Sequence, residues 1–151
     1  MALRDVPEDE SRAALENPSF CRDATPWVQD RKQPIYRCAA GLVDAEGNPL
    51  GRVAELLVNE SVDTGIRRFK FSVFKISAGF QERIYQLDVT RWPRMPADLH
   101  ARPHERFGQF RGVPQSDWAR WTYHEAFEHF VRTTLIDFDP LPEDPFANRL
   151  L

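Results

Sequence analysis

Residues 66–91 read IRRFKFSVFKISAGFQERIYQLDVTR, and the alternation inside this stretch decides the fold. Phe69, Phe71 and Val73 fall on one side of an extended chain, while Arg68, Lys70 and Ser72 fall on the other. Phe74 and Ile76 then reverse the phase, which predicts a bulge after Val73. Ala78-Gly79 supplies a turn. From Glu82 to Arg91 the alternation resumes, with Tyr85, Leu87 and Val89 opposite Gln86, Asp88 and Thr90. A hairpin with one apolar and one polar face follows.

Upstream, Ile35 to Val43 is short, apolar and free of breakers. The cluster Ala45-Glu-Gly-Asn-Pro49 is a turn, and Leu50 to Val58 is a second run. Val53-Ala-Glu-Leu-Leu-Val58 also suits a helix by composition, but the adjacent turn and the missing 3.6 period favour a strand. Four antiparallel strands in a meander are therefore expected. Downstream, Thr122-Tyr-His-Glu125 fits a capping box, and Tyr123, Phe127, Phe130 and Val131 form an apolar stripe through Leu135. Glu125, Glu128 and Arg132 face outward. This helix is expected to cover one face of the sheet.

Residues 1–34 are expected to form an acidic N-terminal arm, with a short helix capped by Asp5, carrying Pro7 in its first turn and ending at Leu15. Residues 136–151 contain Pro140, Pro142 and Pro145 and are expected to form an extended strap anchored by Phe146 and Leu150. At 151 residues, a single domain spanning residues 35–135 is expected to carry the core. The predicted class is α+β: a twisted antiparallel sheet of four to five strands, one C-terminal helix on a face, and the N-terminal arm.

No stretch approaches the ~20 apolar residues of a membrane span, so no membrane partner is expected. The first residues turn acidic without an apolar run, so no secretory signal is expected. Cys21 and Cys38 match no metal spacing. Reduced cytosolic thiols are the favoured reading, and a bridge from the arm to the first strand is the alternative. Phosphate-cradling Gly loops, GxSxG, HExxH and the dinucleotide fingerprint are all absent.

Between Arg67 and Arg111 stand ten Lys/Arg against four Asp/Glu, although the whole chain carries a net charge of −3. A positive field over one region survives such a balance. Inside this region, residues 92–113 have no period and hold Pro93, Pro96 and Pro103 together with His100-Ala-Arg-Pro-His104-Glu-Arg-Phe-Gly108. Long connections of this kind are usually functional or disordered, and the aromatic and histidine content argues against disorder.

Three functions are open for this region. In the first, Arg68, Lys70, Arg83, Arg91, Arg94, Arg102, Arg106 and Arg111 neutralise phosphates while Trp92, Phe107 and Phe110 stack on unpaired bases. Acidic flanks folded onto this surface would cancel it. In the second, His100 and His104 exchange protons in metal-free RNA cleavage, Glu105 orients a histidine, and Arg102 and Arg106 stabilise the phosphorane. In the third, the same histidines join Asp88, Glu105, His124 or His129 in a metal-dependent hydrolase. Pro103 rules out the helical His pair of a zinc protease. No cofactor and no resident metal are assigned. Trp118 and Trp121 either pack the loop against the helix or form a protein-partner patch, which makes a non-enzymatic interaction module the alternative function.

The order Tyr85-Gln-Leu-Asp88, then a histidine loop ending His104-Glu-Arg-Phe-Gly108, then a terminal helix, resembles small bacterial proteins of the TumE toxin-like group. The resemblance covers residues 35–135. It departs in the long acidic arm and in lacking adjacent histidines. It implies a bacterial, cytoplasmic protein from a toxin–antitoxin or mobile-element setting. Taken together, the sequence predicts a small protein that engages RNA or another phosphate-rich partner, and it leaves open whether that protein is a toxin-like ribonuclease, a non-enzymatic interaction module or a metal-dependent hydrolase.

Overall fold

The computed structural model describes residues 2–29, 34–61 and 63–147. In chain order the elements are β1 (Ala2–Asp5), α1 (Glu8–Ala14), β2 (Ser19–Cys21), β3 (Val28–Gln29), β4 (Ile35–Val43), β5 (Pro49–Glu60), β6 (Arg67–Ser77), β7 (Phe80–Arg91), β8 (His104–Phe107), β9 (Phe110–Arg111), α2 (Tyr123–Thr134) and β10 (Ile136–Phe138). The class is α+β with a largely antiparallel sheet. Instead of four to five strands, the described residues form ten, in the order β10-β2-β4-β5-β6-β7-β8-β9, with β1 beside β7 and β3 beside β4. The central meander is β4 to β7.

The β6–β7 register places Phe71 opposite Leu87 and Lys70 opposite Asp88, and it shifts between Val73 and Phe74, where the sequence phase reverses. Phe69, Phe71, Val73, Tyr85, Leu87 and Val89 are all buried on the apolar face. Against them lies α2. The ring of Phe71 is 5.9 Å from Tyr123, 6.3 Å from Phe127 and 5.7 Å from Phe130, each edge-on. Such pairs add about 0.5–1.5 kcal/mol each beyond area burial, so Phe71 is the hub of the core. The helix opens as expected: Thr122 Oγ1 accepts from Glu125 N, and the Glu125 carboxylate accepts from Thr122 N. Leu135 does not continue the stripe. It caps the helix in the left-handed conformation (φ 57°) and is 40% exposed, so the chain can turn into β10.

The N-terminal residues are not a free arm. β1 runs parallel to β7, pairing Asp5 with Arg83, and β2 lies between β4 and β10. A second helix, α1, is therefore part of the fold in addition to the C-terminal one. Asp5 does not cap it. Pro7 occupies the N-cap, while Glu8, Asp9 and Glu10 fill the first turn. Val6 is fully buried, and Ser11 donates its hydroxyl to the Ile84 carbonyl at 2.6 Å. On the far edge, β10 runs parallel to β2, so the tail begins as a strand. Beyond it, Trp27 donates to the Glu143 carbonyl and Tyr123 to the Pro142 carbonyl, and Phe146 packs edge-on against Tyr36 at 5.0 Å. Leu150 lies outside the described residues. Cys21 and Cys38 are buried free thiols, and burial raises the pKa of both. Among the described residues no helix is long and apolar enough to cross a membrane.

Residues 92–113 contain a second hairpin. β8 pairs with β7 and β9 with β8, and the two-residue turn between them is Gly108-Gln109. Gly108 has φ 57°, and a Cβ there would meet the Val6 carbonyl oxygen at 2.1 Å. Its N–H bonds the Ile84 carbonyl, and the Gln109 N–H bonds the Val6 carbonyl, both at 2.8 Å. This turn bolts the N-terminal segment to the histidine hairpin. Gly108→Ala is expected to destabilise the protein by more than about 2 kcal/mol, from left-handed strain plus backbone collision. Thr122→Ala should cost only about 1 kcal/mol as a lost cap. Chemical denaturation of the two variants checks the ranking.

Candidate functional site

The polar face of β7 carries Asp88 and Thr90, and β8 carries His104 directly opposite Asp88. Arg68, on β6, reaches across and grips the Asp88 carboxylate through Nη2 at 2.6 Å and Nε at 3.3 Å. Thr90 donates to the same carboxylate at 2.9 Å. Burial raises the Asp88 pKa, but the Arg68 hydrogen bonds and charge, with Thr90, outweigh it, and the net shift is downward. Asp88 is an anion at neutral pH.

His104 is 6% exposed. Its Nδ1 lies 2.8 Å from the Arg102 carbonyl oxygen, which can only accept, so Nδ1 carries the proton. The Nε2 lone pair is thereby the ring's free acceptor. Burial lowers the His104 pKa below its usual 6.5, and the neighbouring charge of Arg111 adds to the fall, opposed by the Arg102 carbonyl and by Asp88. The imidazole is therefore neutral at pH 7.

Above this pair runs the loop from Trp92. Asp98 Oδ1 accepts from His100 N, closing a short helical turn at residues 99–101. Trp92 donates its indole N–H to the Ala101 carbonyl at 2.9 Å, which fixes the ring. A cavity of about 330 Å³ results, lined by Asn59, Ile66, Arg68, Asp88, Thr90, Trp92, His100, Ala101 and His104. The buried Oδ1 of Asn59 in its wall receives no hydrogen bond from the described residues.

The residues expected to catalyse or bind separate into groups. His100, exposed, and His104, buried, meet at this cavity with Arg68 and Trp92. Glu105 does not join them. The pleat sends it to the opposite face, where its carboxylate accepts from Tyr85 at 2.6 Å and faces His129 Nε2 at 2.8 Å. Burial raises the Glu105 pKa, but the His129 and Tyr85 hydrogen bonds carry it below the ordinary value. His129 is packed by Trp118 (4.9 Å) and Trp121 (5.2 Å), and the two indoles stack on each other at 4.7 Å. Trp118 and Trp121 thus close the Glu105–His129 cluster. Phe107 is on that face too, against Tyr85 at 5.2 Å and beneath Arg12.

The expected cations are unequal. Arg83 makes two hydrogen bonds to Asp5, at 2.6 and 3.1 Å, and Arg106 lies 3.5 Å from the same carboxylate. The acidic N-terminal segment does fold onto that part of the surface. Arg68 is paired with Asp88. Lys70 is half-buried, and its pKa is lowered by burial and then by Arg68. Arg102 donates to the Pro96 carbonyl, and Arg111 bonds the His100 carbonyl and lies 3.4 Å from His104 Nδ1. Arg91 and Arg94 are exposed. Among the described residues, no carboxylate pairs with Lys70, Arg91, Arg94, Arg102 or Arg111.

Three participants escaped the sequence reading. Asn59 lies just past the predicted end of its strand. Thr90 was placed on the polar face without a role. The Arg68–Asp88 pair follows from strand register, and equal parity on adjacent strands was its available signal. Among the described residues, no three His, Cys, Asp or Glu side chains gather as a metal site. No family model, curated protein or solved structure matches this chain.

The charges around His104 make its titration predictable. Its midpoint is expected below 6.5. Asp88→Asn should move it further down by removing a stabilising anion, and Arg111→Gln should move it up. Proton–carbon NMR of the ring across pH reads all three, and a wild-type midpoint above 6.5 would contradict the assignment.

Proposed function

We propose that this protein engages single-stranded RNA at the Trp92–His104 end of its sheet and cleaves it as a toxin-like, metal-free ribonuclease of the TumE-like kind. The carrying observation is the meeting of His100, His104, Arg68, Asp88 and Trp92 around one cavity. Metal-free cleavage needs a base for the 2′-hydroxyl, an acid for the leaving oxygen, and positive charge near the phosphorane. His104 suits the base: it is neutral, its Nδ1–H is anchored, and that tautomer leaves Nε2 as the acceptor nitrogen. As Nε2 takes the 2′-hydroxyl proton, the 2′-oxygen bonds to phosphorus and the bond from phosphorus to the 5′-oxygen breaks. His100, at the rim, gives that oxygen its proton. The products are a 2′,3′-cyclic phosphate and a 5′-hydroxyl. Arg111, beside His104, supplies charge. Asp88 holds Arg68 in the wall and tunes His104 without touching the reacting atoms.

The protein-partner function draws less support, because Trp118 and Trp121 are engaged with each other and with His129. A hydrolase built on a resident metal finds no three-ligand set among the described residues.

Binding to a short unstructured RNA is expected to weaken steeply from 50 to 200 mM salt. His100→Ala and His104→Gln should each lower cleavage by about 10²-fold or more with affinity within about threefold. Cleavage in the wild type should fall on acidification through a pH below 6.5, as His104 takes up a proton. Salt-independent binding would sink RNA engagement, and cleavage unchanged in both variants would sink the catalytic assignment.

A further inference from the structure

On the other side of Trp92 lies a second hollow, of about 440 Å³, lined by Arg67, Arg91, Trp92, Ser61, Gly65 and Glu60 among others. Arg67 and Arg91 are direct cross-strand partners in the β6–β7 ladder. Like charges set opposite each other on a sheet are destabilising. The Arg67 guanidinium is nonetheless held in place: Nη2 donates to the Trp121 carbonyl at 2.7 Å, and the group lies 5.2 Å from the centre of the Phe69 ring. Burial first, and the Arg91 charge second, oppose its ionised form. Glu60, the cross-strand partner of Arg67 on β5, also lines the hollow, and the charges of Glu60, Asp144 and Glu125 favour the ionised form of Arg67. Arg91 is exposed and pairs with no carboxylate among the described residues, and Ser61 lines the same hollow.

Trp92 and Ile66 line this hollow and the histidine cavity alike. Arg67 and Arg68 are consecutive and point to opposite faces of the sheet, so the two depressions flank one end of the strands. A strand of RNA that wraps this end would place one nucleotide against the histidines and the neighbouring phosphate between the arginines.

The geometry points to the Arg67–Arg91 hollow as a phosphate-binding subsite for the RNA backbone, adjacent to the cleavage cavity and divided from it by Trp92. It rests on the RNA function proposed above. A phosphate there relieves the like-charge opposition that the strand register imposes. The contact is to backbone and carries no base preference.

The test uses inorganic phosphate as one probe and a labelled oligouridylate as the other, on the intact protein. Phosphate should raise the wild-type melting temperature, and Arg91→Gln should abolish that rise. In phosphate-free buffer, Arg91→Gln should melt no lower than wild type, because it removes a like-charge pair. Its RNA affinity should fall by about 3–10-fold, and its slope of log affinity on log salt should flatten by about 0.7, the value for one single-strand phosphate. Arg91→Lys should keep most of both signals, and Arg132→Gln, on the outward face of α2, should change neither. If phosphate does not shift the wild type, or the RNA salt slope is the same in Arg91→Gln, the subsite is overturned while RNA engagement elsewhere stands. If the wild type shifts with phosphate but binds no RNA, the RNA function falls, and with it this subsite's role.

Discussion

The Asp88 carboxylate, gripped by Arg68 and Thr90, is the interaction on which the polar side of this protein depends. It exists because β6 and β7 keep a strict register, with Lys70 against Asp88 and Phe71 against Leu87. One residue of slip would send Asp88 into the aromatic core and Leu87 to the surface. The register is secured from the opposite face, where Phe71 meets three rings of α2. Packing on one side thereby fixes electrostatics on the other. A half-buried carboxylate without its arginine would be costly, so Arg68 keeps Asp88 ionised and in place beside His104.

The N-terminal segment changes the picture of the basic region. Asp5 neutralises Arg83 and approaches Arg106, and Glu10 lies near Lys75. The positive field is not spread over residues 67–111. Among the described residues, Arg91, Arg94, Arg102 and Arg111 pair with no carboxylate, and they belong to the segment that carries Trp92 and the histidines. Compensation at one end and surplus at the other give the surface a direction, which electrostatic steering uses.

Much of this architecture was legible. Alternation in residues 66–77 and 82–91, the phase reversal at Val73, the turn begun at Ala45 and the Thr122–Glu125 box are local signals, and the structure realises each, with Pro49 already opening β5. The missed strands are two to four residues long, and β1, β2 and β10 depend on partners far along the chain. Ala2–Asp5 shows no period, and the Asp5–Arg83 pair, Arg4 over the Phe80 ring and the buried Val6 explain its place on β7. The β8–β9 hairpin had a readable sign in Gly108-Gln109, hidden by the prolines before it. His100 and His104, close in sequence, line one cavity, whereas Glu105 faces His129, because adjacent strand residues point to opposite faces. Long-range pairing, not local pattern, sets Arg68 and Asp88.

The proposed function places RNA at the Trp92–His104 end of the sheet. Photocrosslinking a 4-thiouridine-substituted oligoribonucleotide to the intact protein, followed by peptide mass spectrometry, tests it most directly. Adducts should fall within residues 91–106, at Trp92 and the histidine loop foremost, and should fade with added salt. Adducts confined to Trp118, Trp121 or the tail would contradict the account.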